Sequence, residues 1–320
     1  MWLRKLCLYF IGILLITPCI AADLEPIVQE SDEFNIALAN NIHQSLSENI
    51  ISLSNAIDNF FVEERMDEEG SHSRVVLGFL ITTEDAESVH SEYLLKARLH
   101  LPKTQNKLRL VVESSMDFEQ ETAEDNFADD LRQVSEDAEY STALQFIFTE
   151  SQFWQISNSA GVRFSSSLNP FYRLRLRRVF LFGEWESRIT QSFYWFEQEG
   201  FGETTAIDFE RKINKHFFFR ATSRATIVEE EPGEISANQN FSLFQPLSSK
   251  KGLVYSIGAD GHLNHPAQAS RYYINIRFRH NFYKKWAFYE VVPGVNFYRA
   301  DAFVPASYIL LKLDIVIGKV

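Results

Sequence analysis

Over Arg271 to Val320, apolar and polar side chains alternate with a period of two. Ile274, Ile276 and Phe278 point one way and Asn275, Arg277 and Arg279 the other, as in a β-strand with one apolar and one charged face. Such runs reach about ten residues, longer than an ordinary strand and enough to cross a bilayer at a tilt. The alternation recurs upstream. Leu95, Ala97, Leu99 and Leu101 oppose Lys96, Arg98 and His100. Leu108, Leu110 and Val112 oppose Arg109 and Glu113, and Phe217, Phe219 and Ala221 oppose Arg220, Thr222 and Arg224. The segments are 73–83, 92–101, 107–114, 141–150, 154–166, 171–181, 185–196, 203–213, 216–228, 235–245, 252–262, 271–281, 286–298 and 307–317. They predict an all-β chain, a transmembrane antiparallel up-and-down β-barrel of about 14 strands, with 12 as the alternative.

The connections read as tight turns alternating with longer loops. The tight ones include 103–106, 182–184 and 283–285; the longer ones include 116–140, 198–203, 229–234, 262–270 and 299–306. Short turns on one side and longer loops on the other mark an outer-membrane barrel, and an even strand count puts both ends on the periplasmic side. Loop 116–140 is the longest and strongly acidic. It reads as a solvated loop outside the cell, or as one that binds divalent cations bridging lipopolysaccharide. Trp154, Trp185, Trp195, Trp286, Phe171, Phe217 and Phe297 sit near strand ends, where interfacial girdles belong.

Before the barrel the period changes. Ile42, Leu46, Ile50, Leu53, Ile57 and Phe60 recur at steps of four, four, three, four and three, which predicts an amphipathic helix over 35–61. Such a stripe packs on something, and a plug in the barrel mouth and a surface for a periplasmic partner are both open. Residues 62–72 form a charged linker. At the start, Arg4 and Lys5 precede an apolar run, Leu6 to Ile16, and small residues end at Ala21. That is a secretory signal with cleavage near Ala21. Cys19 offers a lipoprotein signal as a rival, which Pro18 fits poorly. The expected layout is a signal peptide over 1–21, a periplasmic segment over 22–72 and an outer-membrane barrel of a Gram-negative bacterium over 73–320.

Composition adds exclusions. No segment after the first 22 residues is apolar enough to span as a helix. Both cysteines lie in the leader, so disulfide frameworks and cysteine-based zinc sites drop out. The net charge is -12, and no basic stripe interleaved with aromatics occurs, which argues against nucleic acid as a partner.

Several stretches, KKWAFYEVVPGV, SYILLKLDIVIG, GFGETTAIDFER, LHLPKTQNKLRLVVES and IDNFFVEER, resemble a group of uncharacterised proteobacterial outer-membrane β-barrel proteins. The similarity covers most of the chain after about residue 55. It implies fold and location and carries no activity. Such barrels usually close on an aromatic residue. Here Ile317 takes that place, which implies weaker recognition of the C-terminal strand by the barrel-assembly machinery.

The candidate chemistry lies on the polar face. One cluster is Arg173, Arg175 and Arg177 with Arg188, Glu184 and Glu186. A second is Asp208 and Glu210 opposite Arg220 and Arg224. A third is Arg277 and Arg279 with Glu290, Lys312 and Asp314, in which Arg277 can bond Glu290 directly if the two pair across the turn 283–285. With Arg98 and Arg109 they are expected to line the lumen, where charges must be hydrated or paired. They could form a passive pore for anions or small polar solutes, or a paired lattice that stiffens a structural barrel. An outer-membrane lipid-modifying enzyme is the alternative, with His100, His280 beside Asn281, and His262 with Ser256 as candidates by type. A scaffold acting through the helix is a third reading. His262 and His265 with Asp260 make a thin metal motif, and no cofactor is expected. The expected partners are outer-membrane lipid, the assembly machinery and a periplasmic partner of the helix.

Overall fold

A computed structural model describes residues 60, 73–85, 88–101, 107–114, 140–151, 153–164, 167–229, 233–264, 266–284 and 286–318. The alternating runs form fourteen strands. They are β1 (Arg74–Glu84), β2 (Ser88–His100), β3 (Leu108–Ser114), β4 (Tyr140–Glu150), β5 (Trp154–Phe164), β6 (Leu168–Phe182) and β7 (Trp185–Phe196). The series continues with β8 (Gly200–Lys212), β9 (Phe218–Val228), β10 (Ser236–Ser248), β11 (Lys251–His262), β12 (Gln268–Tyr283), β13 (Ala287–Tyr298) and β14 (Pro305–Gly318).

Each strand pairs antiparallel with its sequence neighbours, and β14 returns to β1 from Arg74↔Gly318 to Glu84↔Tyr308. The sheet is a closed barrel, so no strand offers an unpaired edge. The predicted signal, the acidic stretch 116–139, and all of the helix and linker except Phe60 lie outside the described residues.

The two faces are inverted relative to a soluble protein. On β12, Arg271, Asn275, Arg277, Arg279 and Asn281 are buried, while Tyr272, Ile274 and Ile276 between them are exposed. On β14, Ile309, Leu311, Leu313 and Ile317 are exposed, while Asp314 is 1% exposed. In a closed sheet the buried face is the inner one. The outer face is therefore apolar, as hydrocarbon contact requires. Trp154, Trp185 and Trp286 stand at the end of the barrel that carries the chain's own ends, and Trp195 at the other. Phe171 does not belong to either girdle. It sits on the inner face, 3% exposed, with its ring centroid 5.5 Å from that of Phe196. Its position is in phase with Arg173, and the two-residue period overrides its nearness to a strand end.

Loop lengths differ less between the two ends than the sequence predicts. Three connections on the side away from the chain ends, 85–87, 165–167 and 197–199, are short, whereas 101–107 on the terminal side is longer than any of them. Backbone pairing runs on where side-chain alternation stops. β8 begins at Gly200, and β12 begins at Gln268, pairing with β11 beyond a bulge at Asp260/Gly261. The imbalance rests mainly on 115–139 between β3 and β4.

Close approach of an aromatic ring fixes glycine at the inner wall. Gly202 lies opposite Tyr194, and a Cβ added there would stand 2.0 Å from the tyrosine ring. Gly258 opposite Tyr273 and Gly294 opposite Tyr308 repeat the pairing. Each ring occupies the space that the missing side chain of its glycine leaves.

Candidate functional site: the inner wall

Strand alternation places every charged candidate on the inner face, and register decides which of them meet. Arg279 is opposite Glu290 across β12 and β13 and bonds it. Its Nη1 also lies 2.8 Å from Asp314 Oδ2 on β14, and Lys312 Nζ lies 3.4 Å from Asp314 Oδ1. Gly78 on β1 faces Asp314, and a Cβ there would come within 3.1 Å of the carboxylate. The third cluster thus exists, with one exchange: Arg279, not Arg277, meets Glu290. Arg277 lies two residues earlier on β12, opposite Val254 on β11. The hairpin register, set by the turn's length, pairs Arg279 with Glu290.

The second cluster divides. Arg220 Nε donates to Glu210 Oε1 at 2.8 Å, and both are almost fully buried. Asp208 instead accepts from Thr222 Oγ1 at 2.7 Å, and Arg224 is opposite Ala206 on β8 and Asn238 on β10. On β2 and β3, Arg98 Nη2 donates to Glu113 Oε1 at 2.8 Å. Arg109 is 1% exposed, opposite His100 and Gln145.

The first cluster differs most from expectation. Glu186 bonds Arg188 on its own strand, with Nη2 to Oε1 at 3.1 Å, and Glu184 pairs with Arg211 at the β6–β7 turn. Neither acid is opposite the β6 arginines. Arg173, Arg175 and Arg177 are opposite Ser159, Ser157 and Gln155 on β5, and Tyr194, Ser192 and Thr190 on β7. Three guanidinium groups, spaced about 7 Å apart along the strand, thus rise between two columns of neutral side chains. Arg173 and Arg175 keep partial exposure, and Arg177 is 9% exposed. The signal was present in the alternate Ser, Thr and Gln of segments 154–166 and 185–196, but it becomes a column only once the register is known.

Basic side chains outnumber acidic ones on the inner face of the described strands, although the chain holds 43 acids against 31 bases. The register neighbours of the β6 arginines are neutral hydrogen-bonding side chains, and the charge of Arg173 also reaches the buried Glu113 carboxylate on β3.

The residues considered for catalysis do not converge. His280 is on the outer face, its Nδ1 3.2 Å from the Tyr289 hydroxyl, while its neighbour Asn281 points inward and donates to the Ala287 carbonyl at 3.0 Å. Ser256 contacts Ser242 at 3.3 Å, and His262 meets Glu234 at the strand end, with Nδ1 to Oε1 at 2.9 Å. Six residues of extended strand, about 20 Å, separate Ser256 from His262. His265 lies outside the described residues, and among those described no group of three or more His, Cys, Asp or Glu side chains could hold a metal ion.

A polar seam on the outer face escaped the sequence pattern. Thr205 Oγ1 donates to Gln191 Oε1 at 2.7 Å, Gln191 Nε2 donates to Glu203 at 2.9 Å, and Ser223 donates to Gln239 at 2.5 Å. Each polar group has a partner on the adjacent strand, which lowers the cost of facing hydrocarbon.

No protein-family model and no curated protein matches the chain. Solved structures with some likeness include the KdgM porin in complex with disordered oligogalacturonate, at 6% identity and TM-score 0.36, covering 75% of this chain and 98% of that one. The CymD monoaromatic hydrocarbon channel shows 8% identity and TM-score 0.47, covering 79% and 90%. The outer membrane channel DcaP of Acinetobacter baumannii shows 10% identity and TM-score 0.40, covering 77% and 96%. At such values these likenesses carry no argument about solute or mechanism, and the barrel rests on its own strand ladders.

Proposed function

We propose that the chain is an outer-membrane channel giving small anionic and polar solutes a passive path along its arginine-rich inner wall. The observation that carries this reading is the β6 column, Arg173, Arg175 and Arg177, three basic side chains in a row on the inner face whose register neighbours are Ser, Thr, Gln and Tyr. The remaining candidates share the work of the wall. Arg98, Arg188, Glu210, Arg220, Arg279, Glu290, Lys312 and Asp314 form ion pairs that hold it rigid, and Arg109, Arg224 and Arg277 add to its basic character. Export through a signal cleaved near Ala21 delivers the chain to the outer membrane. There the apolar face meets lipid, and the assembly machinery engages β14 despite Ile317.

Conductance tests the proposal. Purified full-length protein in a planar bilayer is expected to give discrete current steps in potassium chloride. Absence of current at every voltage, from protein whose gel mobility shifts on heating as a folded barrel's does, would overturn it.

A further inference from the structure

Apolar clusters interrupt the polar inner wall, and one patch lies at the end where the chain begins and ends its barrel. Val76, Phe218, Phe244, Val254, Phe288 and Val316 point inward there, none more than 5% exposed. They come from β1, β9, β10, β11, β13 and β14, on both sides of β12. Six apolar side chains facing a polar interior need an apolar cover to keep them from water.

Phe60 supplies the first part of that cover. It is helical and packs against both halves of the patch, the Phe218–Phe244–Val254 cluster and the Val76–Phe288–Val316 cluster. Its ring meets that of Phe288 edge-on at a centroid distance of 6.3 Å. Phe60 is also the last residue of the apolar stripe Leu46, Ile50, Leu53, Ile57, Phe60. Residues 61–72 can reach about 40 Å when extended, enough for the chain to leave the interior and start β1 at the rim.

We infer that residues 46–60 of the same chain dock as an amphipathic helix inside the terminal-side mouth, with Leu46, Ile50, Leu53, Ile57 and Phe60 turned toward the patch. The helix would be about 22 Å long and about 10 Å across. The seat lies on the β9–β1 side of the wall, across from the β6 arginine column. The occupant therefore narrows the mouth on one side and leaves the arginine side as the path. The inference goes beyond the channel reading and does not depend on it.

Cysteine accessibility tests it in full-length protein carrying Cys7→Ser and Cys19→Ser. Leu53→Cys and Ile57→Cys sit on the stripe; Glu48→Cys and Asn55→Cys sit on the opposite face. In the folded barrel a water-soluble maleimide is expected to label the stripe positions at least tenfold more slowly than the polar ones. Adding Phe60→Asp, which lies off the barrel wall, is expected to abolish the difference. Equal labelling on the two faces, or protection unchanged by Phe60→Asp, would overturn the inference. A bismaleimide joining Ile57→Cys to Phe218→Cys is expected to yield a linked monomer; a linked dimer would overturn it by showing that a second copy fills the seat. Labelling does not require current. A conducting barrel with an unprotected stripe defeats this inference alone, and a silent barrel with a protected stripe defeats the channel reading alone.

Discussion

Arg279 shows how charge is held inside the wall. Its guanidinium bonds Glu290 and Asp314, and its Cζ lies 4.3 Å from the centre of the Phe288 ring. Removing it would leave two buried carboxylates facing each other without their shared cation. Arg279→Met is therefore expected to cost about 3–5 kcal/mol, read as a lower midpoint for heat- or urea-driven loss of the folded gel band. An unchanged midpoint would show that water serves the two acids equally well. The tyrosine–glycine pairs make a second residue-scale prediction. Gly202→Val must displace the Tyr194 ring, because the added Cβ would stand 2.0 Å from it. The expected loss is about 1–3 kcal/mol from overpacking, and Tyr194→Ala in the same chain should recover part of it. No recovery would place the strain in the backbone instead.

At the scale of the element, most of the strands could be read from the two-residue period, because side-chain alternation and backbone pleat are one geometry. β7 runs over Trp185–Phe196, the range its alternation predicts. Strand ends were less legible, since the ladder at Gln268 and at Gly200 continues without alternating side chains. Partners were less legible still. Sequence placed Arg277 and Arg279 on the polar face but could not choose which meets Glu290, because that depends on register. The serines and threonines beside the β6 arginines became a column for the same reason. One strand carries a visible interruption. β12 and β13 pair from Arg271 to Asn275 and again from Phe278, and the gap at Ile276 and Arg277 lies against Val292 and Pro293. Proline has no N–H to give the ladder. Pro293→Val is expected to close the gap and stabilise the barrel by about 0.5–1.5 kcal/mol, the net value of a hydrogen bond. Hydrogen exchange would show added protection at residue 293, and an unprotected amide there would contradict this account of the gap.

For the whole molecule, the closed sheet puts an apolar surface outside and concentrates basic charge within, although acids predominate in the sequence as a whole. The paired clusters near Arg279 and Arg220 make part of that wall rigid, and the β6 column gives it a direction of preference. The measurement that tests this most directly is the reversal potential across a planar bilayer under a potassium chloride gradient. It should be made for the full-length protein and for a variant carrying Arg173→Ser, Arg175→Ser and Arg177→Ser. The account predicts chloride selectivity in the first and a shift toward potassium in the second. Cation selectivity in the unmodified protein, or a reversal potential that the triple substitution leaves in place, would contradict it.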